Sequence, residues 1–286
     1  MQKRRLYLFG GWLVLMLGLL LAVVAGTLVG AKWGIGGSAQ RMTQAVVMSV
    51  VVIPPIAYLY RRMHFYIGRP DVPAYAFRHL PHVVTGFMFA FILGLISLFA
   101  MHVFQVITIE TWYSPLLWIR AMLFNVLIAL FYEALPEELA MRGLIYDILR
   151  LRLSLWRSVF IQAIIFTTFS ASISLLLVLI GLSPSASLLA LPSNLILHFL
   201  FAIALALIRE WTDSLWAAVG FHLGYLEVVR FLLMPVEYGA SPIVTIKDHI
   251  MDGAGASMSV MVMILSAIFI PYIILVMRKK WKKVVV

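Results

Sequence analysis

Residues 121–150 read AMLFNVLIALFYEALPEELAMRGLIYDILR, an apolar run of membrane-spanning length with two adjacent glutamates inside it. A transmembrane helix needs about 20 mainly apolar residues, and this run supplies them with Glu133, Glu137 and Glu138 as its acidic members before Arg142. Comparable runs recur along all 286 residues; 63% of the chain is apolar, 12% is charged, and the mean hydropathy is +1.03. Soluble domains carry roughly 25% charged residues, so such a surface cannot face water all round. The fold read from this pattern is all-α: a polytopic membrane protein of eight helices over about 6–31, 43–60, 83–108, 121–147, 157–181, 194–209, 214–234 and 257–277. Segments of alternating polarity are not seen, which disfavours a membrane barrel.

Charge orients the spans. The 22 Lys and Arg against 12 Asp and Glu give a net charge of +10, which in a soluble protein would suggest nucleic acid. Here the excess lies between the apolar runs. Eight spans gather Lys3, Arg4 and Arg5, the arginines of 61–78, those of 142–157, Arg209 and the cluster from Arg278 to Lys283 on one side. Only Lys32, Arg41, Arg120, Arg230 and Lys247 fall on the other. Cytoplasmic loops concentrate Lys and Arg, so both termini are placed in the cytoplasm and no nucleic-acid partner is expected. Omitting the second run, which contains Pro54–Pro55, would set the two terminal clusters on opposite sides. The first run continues past Val29, longer than the roughly 7–15 residues of a signal-peptide core, and reads as an uncleaved span. The chain has no cysteine, which excludes disulfides, thiolate chemistry and Cys-ligated zinc. With no soluble insert or fixed-period repeat, residues 1–286 read as one membrane domain of the cell membrane.

Charged groups inside a bilayer cost at least ~2.5 kcal/mol each on insertion scales, so every one is a functional candidate. The candidates are His102, Glu133, Glu137, Glu138, Arg142, His198, His222 and Glu227. Glu137 lies 16 residues into its span, roughly 24 Å deep from the outer side. Glu138 and Arg142 stand at i, i+4, where a carboxylate and a guanidinium meet on one helix face; Glu137 points about 100° away and is left for another task. Pro136 disturbs the helix beside them and can free backbone carbonyls. The plainer alternative is a helix-end salt bridge reaching the cytoplasmic surface. His222, roughly 12 Å in from the cytoplasmic end of its span, reaches the same layer. So do Phe166 and Ser170, a pair at i, i+4 within IIFTTFSAS, although Ser and Thr in a span ordinarily serve packing. His198, counted from the outer end of the sixth span, lies only roughly 6 Å deep and is expected far from this layer, as is His102.

The string EELAMRGLIYDILR (137–150) resembles the E-E-x-x-x-R motif of the CPBP family, the CAAX-protease and bacteriocin-processing intramembrane endopeptidases. The likeness extends over about 120–230, through Phe166 at the position of an F-x-x-x-H motif and through TDSLWAAVGFH (212–222), which ends in a third-motif histidine. Glu137 would then activate water, Glu138 and Arg142 would support it, and His222 would hold water or the oxyanion. The pattern departs at two places: Ser170 stands where the second motif has histidine, and Leu226, followed by Glu227, where the third has Asn or Asp. Serine cannot take up a proton at neutral pH and leucine offers nothing polar. Phe166, Ser170 and Glu227 are thus expected to line the site rather than act in it.

The function these residues imply is a glutamic-type intramembrane endopeptidase acting on a membrane-associated or lipidated peptide. Two alternatives stay open: a catalytically impaired member serving as scaffold, immunity or peptide-binding protein, and a proton-coupled transporter using Glu133, Glu137 and Glu227. No cofactor is called for. A divalent metal is left open, but with Ser170 in place of a histidine only His222 would bring an imidazole to the layer, which disfavours tight zinc.

Overall fold

In the computed structural model the described residues are 2–34, 37–66, 79–235, 240–251 and 253–284. The middle of the basic segment 61–82, Glu237 and Asp252 lie outside them, as do the side chains of Lys3 and of the C-terminal cluster from Lys279 onward. Among the described residues eight helices are long and apolar enough to cross a membrane, and the chain is a polytopic helical membrane protein. They are α1 (Gln2–Trp33), α2 (Ser38–Tyr66), α3 (Pro81–Val103), α4 (Pro115–Arg150), α5 (Leu155–Leu179), α6 (Leu191–Thr212), α7 (Leu215–Leu233) and α8 (Ala254–Val284).

Each expected span has its helix, and α2 runs unbroken through Pro54 and Pro55. Its buried residues Ala45, Met48, Val52, Ile56, Tyr60 and Met63 recur every three or four positions, so one face is committed to protein contact. The third span, by contrast, ends at Val103 rather than near 108. Ile107–Trp112 forms a strand, β1, paired antiparallel with β2 (Val244–Asp248) from the loop after α7. The β-branched runs ITIETW and VTIKD explain this exception to the all-helical reading, and the register slips at Glu110, between Ile109 and Thr111.

Contacts divide the chain into two units. The first comprises Met1–Phe77 and Leu130–Ala206. In it α1 and α2 pack along each other and against the 130–145 stretch of α4, with Leu15, Ala22, Met48 and Val52 sealed inside. The second comprises Arg78–Ala129 and Leu207–Val286. Its centre is the crossing of α3 and α7, made possible by glycine. A methyl group on Gly220 would overlap the Val83 carbonyl, and one on Gly86 the Ala217 carbonyl, so the two backbones approach where no larger residue fits. Phe89 fills the neighbouring space against Trp211 and Phe221.

Candidate active site

The acidic stretch of α4 is not a plain α-helix. Residues Leu130–Ala134 and Leu139–Ile145 are wound as π-helix on either side of Pro136 and the glutamates. Single π turns concentrate at functional positions, and here proline supplies the cause. Continued in the i→i+5 register, the Phe131 carbonyl falls opposite Pro136, which has no N–H to give. Ser49 of α2 donates its hydroxyl to that carbonyl instead, at 2.7 Å. The freed backbone group expected beside Pro136 is therefore satisfied by a neighbouring helix, as lipid requires.

One turn on, Arg142 Nη1 donates to Glu138 Oε1 at 2.9 Å, with neither side chain exposed. The guanidinium also reaches the Ala202 carbonyl of α6 at 3.5 Å and lies 4.7 Å over the Phe166 ring of α5. Arg142 is thus held by a carboxylate, a carbonyl and an aromatic face within the first unit. Buried ion pairs survive only with such supplementary partners. The pair is interior, which removes the reading of a surface-reaching helix-end bridge.

Glu137 differs from its neighbour. The residue is 9% exposed against none for Glu138, and among the described residues it makes no hydrogen bond or ion pair. The charges acting on it through space are Glu133, Glu138 and Arg142. A carboxylate held in place by its helix, with its oxygens uncommitted and a small opening to the outside, can receive a proton from a water molecule.

Phe166 packs against Phe169 and, at 6.0 Å between ring centroids, against His198 of α6. The contact corrects the expectation that His198 lies far from Phe166. The helix that carries His198 starts at Leu191, three residues before the expected span, and is preceded by a 3-10 turn over Ser185–Ala190. Ser170, one turn past Phe166, is buried; its carbonyl accepts from the Ser174 hydroxyl at 2.9 Å. His102 caps the approach to β1 through Nδ1 and the Ile107 carbonyl, 3.3 Å apart.

His222 and Glu227 belong to α7 in the second unit, and both are buried. Glu227 Oε1 accepts from the Asn125 amide at 2.6 Å. Asn125 escaped the sequence reading because only ionisable residues were sought inside the spans. An uncharged amide in a run of Leu, Phe, Val and Ile was the available signal. No group of three His, Asp or Glu positioned to hold a metal ion is found among the described residues.

Residues 118–225 match the family model described as type II CAAX prenyl endopeptidase Rce1-like, a CPBP family. Over that segment the chain is similar to the Rce1-like family. The matched segment holds Asn125, the glutamate pair, Arg142, Phe166, Ser170, His198 and His222, and it stops one residue before Leu226. No curated protein and no solved structure matches the chain.

Proposed function

We propose that the Rce1-like core is an intramembrane peptide hydrolase in which Glu137 is the general base. The observation that carries this reading is the contrast between two adjacent carboxylates. Glu138 is sealed and bound by Arg142, whereas Glu137 is uncommitted and slightly open. One carboxylate orients the site and the other is left for chemistry. Water placed against Glu137 gives it a proton while its oxygen bonds to the scissile carbonyl carbon. As the tetrahedral intermediate collapses, the C–N bond breaks and Glu137 returns the proton to the leaving amine.

The description of the matched family points to a prenylated C-terminal peptide as substrate class. Such a substrate already lies at the membrane surface through its lipid. The excess of Lys and Arg in the loops on the side of both termini supports a cytoplasmic side for them, and we take that as the side from which a peptide reaches Glu137. The resemblance also names His222 for the oxyanion, and His222→Ala tests that role separately.

The test is cleavage of a fluorogenic prenylated peptide by purified full-length protein in detergent. Glu137→Gln is expected to lower kcat by about 100-fold or more. A variant as fast as wild type would contradict the assignment. Ser170 and Leu226 favour a second reading, a peptide-binding protein without turnover. Undiminished peptide capture with no cleavage by wild type would establish it.

A further inference from the structure

We infer that Ser158 and Gln162 of α5 bind water inside the first unit, and that this water leads from the turn at 151–154 to the layer of Arg142. Both residues are wholly buried. Among the described residues, neither the Gln162 amide nitrogen, nor its carbonyl oxygen, nor the Ser158 hydroxyl meets a hydrogen-bonding partner. Thr167, Thr168 and Ser174 of the same helix return their hydroxyls to carbonyls of α5 itself, at 2.8, 2.8 and 2.9 Å. That is how a helix ordinarily satisfies a buried hydroxyl. Ser158 does not follow it, and a glutamine amide is buried one turn away. Such groups need a donor and an acceptor that apolar side chains cannot offer. Water supplies both.

Ser158, Gln162 and Phe166 stand four residues apart on one face of α5, and the buried Val159 and Ala163 beside them mark it as the face turned to protein. Phe166 carries Arg142 of α4 over its ring at 4.7 Å. The two helices are consecutive arms of a hairpin closed by residues 151–154, with Tyr146–Arg150 packed against α5. Four residues from Arg142 toward the turn is Tyr146, itself sealed; four residues from Phe166 toward the turn is Gln162. The amide therefore lies in the interior between Arg142 and the turn. Each four-residue step is roughly 6 Å along the axis. One water molecule making two hydrogen bonds of about 2.8 Å spans that distance, so it joins Ser158 to Gln162 with two polar partners, and a second continues toward the Arg142 layer. The turn end of this file is wet, because Arg150, Arg152, Ser154 and Arg157 are exposed there. The site would give a hydrolase enclosed by lipid an internal supply of water, but the binding of water stands without that reading.

The test is hydroxyl-radical footprinting of full-length protein in detergent, with the radicals made from water by a brief X-ray pulse, so that water itself is the probe. Radicals formed at bound water oxidise the side chains next to it, even where bulk solvent does not reach. In wild type, Tyr146 and Phe166 are expected to be oxidised despite their burial. Met48, a more reactive side chain sealed in the apolar core of the same unit, is expected to stay intact. Ser158→Ala/Gln162→Leu is expected to lower the Tyr146 and Phe166 yields several-fold without raising the melting temperature. Tyr146 and Phe166 as inert as Met48 in wild type would overturn the inference. So would unchanged yields in the double variant, or a clear rise in its melting temperature, the sign that buried groups without partners had been removed. If the double variant does not fold, the wild-type contrast of Tyr146 and Phe166 with Met48 decides by itself.

Discussion

Glu138 and Arg142 form an ion pair at 2.9 Å with no exposed surface on either side chain, directly beside a glutamate that has no such partner. The pair fixes α4 against α5 and α6 through the Phe166 ring and the Ala202 carbonyl. Removing only the cation leaves a buried carboxylate without its main compensation. Arg142→Met is expected to cost about 3–5 kcal/mol of unfolding free energy, and Glu138→Met/Arg142→Met to cost less than the single change. Denaturation in mixed detergent micelles measures both; a double variant less stable than Arg142→Met would contradict this account of the pair.

The π turn before Pro136 has a separate test. Ser49→Ala strips the Phe131 carbonyl of its donor and is expected to destabilise by about 1–3 kcal/mol. Pro136→Ala returns an N–H to the helix, so Ser49→Ala should cost less in that background. Equal costs in both backgrounds would show that the serine is not answering the proline.

In the second unit the Asn125 amide serves a wholly buried carboxylate at 2.6 Å. Asn125→Leu is expected to lower stability by about 1–3 kcal/mol, the range for removing one partner of a buried polar group. Pairing it with Glu227→Leu should restore part of the loss, read from the same denaturation curves. A double variant that falls by the sum of the two single losses would mean the residues act independently.

The eight spans and the i, i+4 pairing of Glu138 with Arg142 were legible in the sequence because both follow from helix periodicity and apolar run length alone. Counting from the apparent span end misplaced His198 relative to Phe166, because an uncharged segment hid the true start of α6. The β1–β2 pair was missed because each strand is too short to show alternation by itself and is fixed by a partner more than a hundred residues away. Asn125 and Ser49 were invisible for a related reason: their roles depend on which carboxylate or carbonyl tertiary packing brings to them. Periodicity assigns a residue to a face. It does not say what meets that face.

Cleavage by Glu137→Gln measures the central claim most directly, because the change keeps the shape of the side chain and removes only its capacity to take a proton. With a prenylated fluorogenic peptide and full-length protein in detergent, kcat is expected to fall by about 100-fold or more while peptide binding and melting temperature stay at wild-type values. Turnover by Glu137→Gln at the wild-type rate would contradict the assignment of Glu137 as the base.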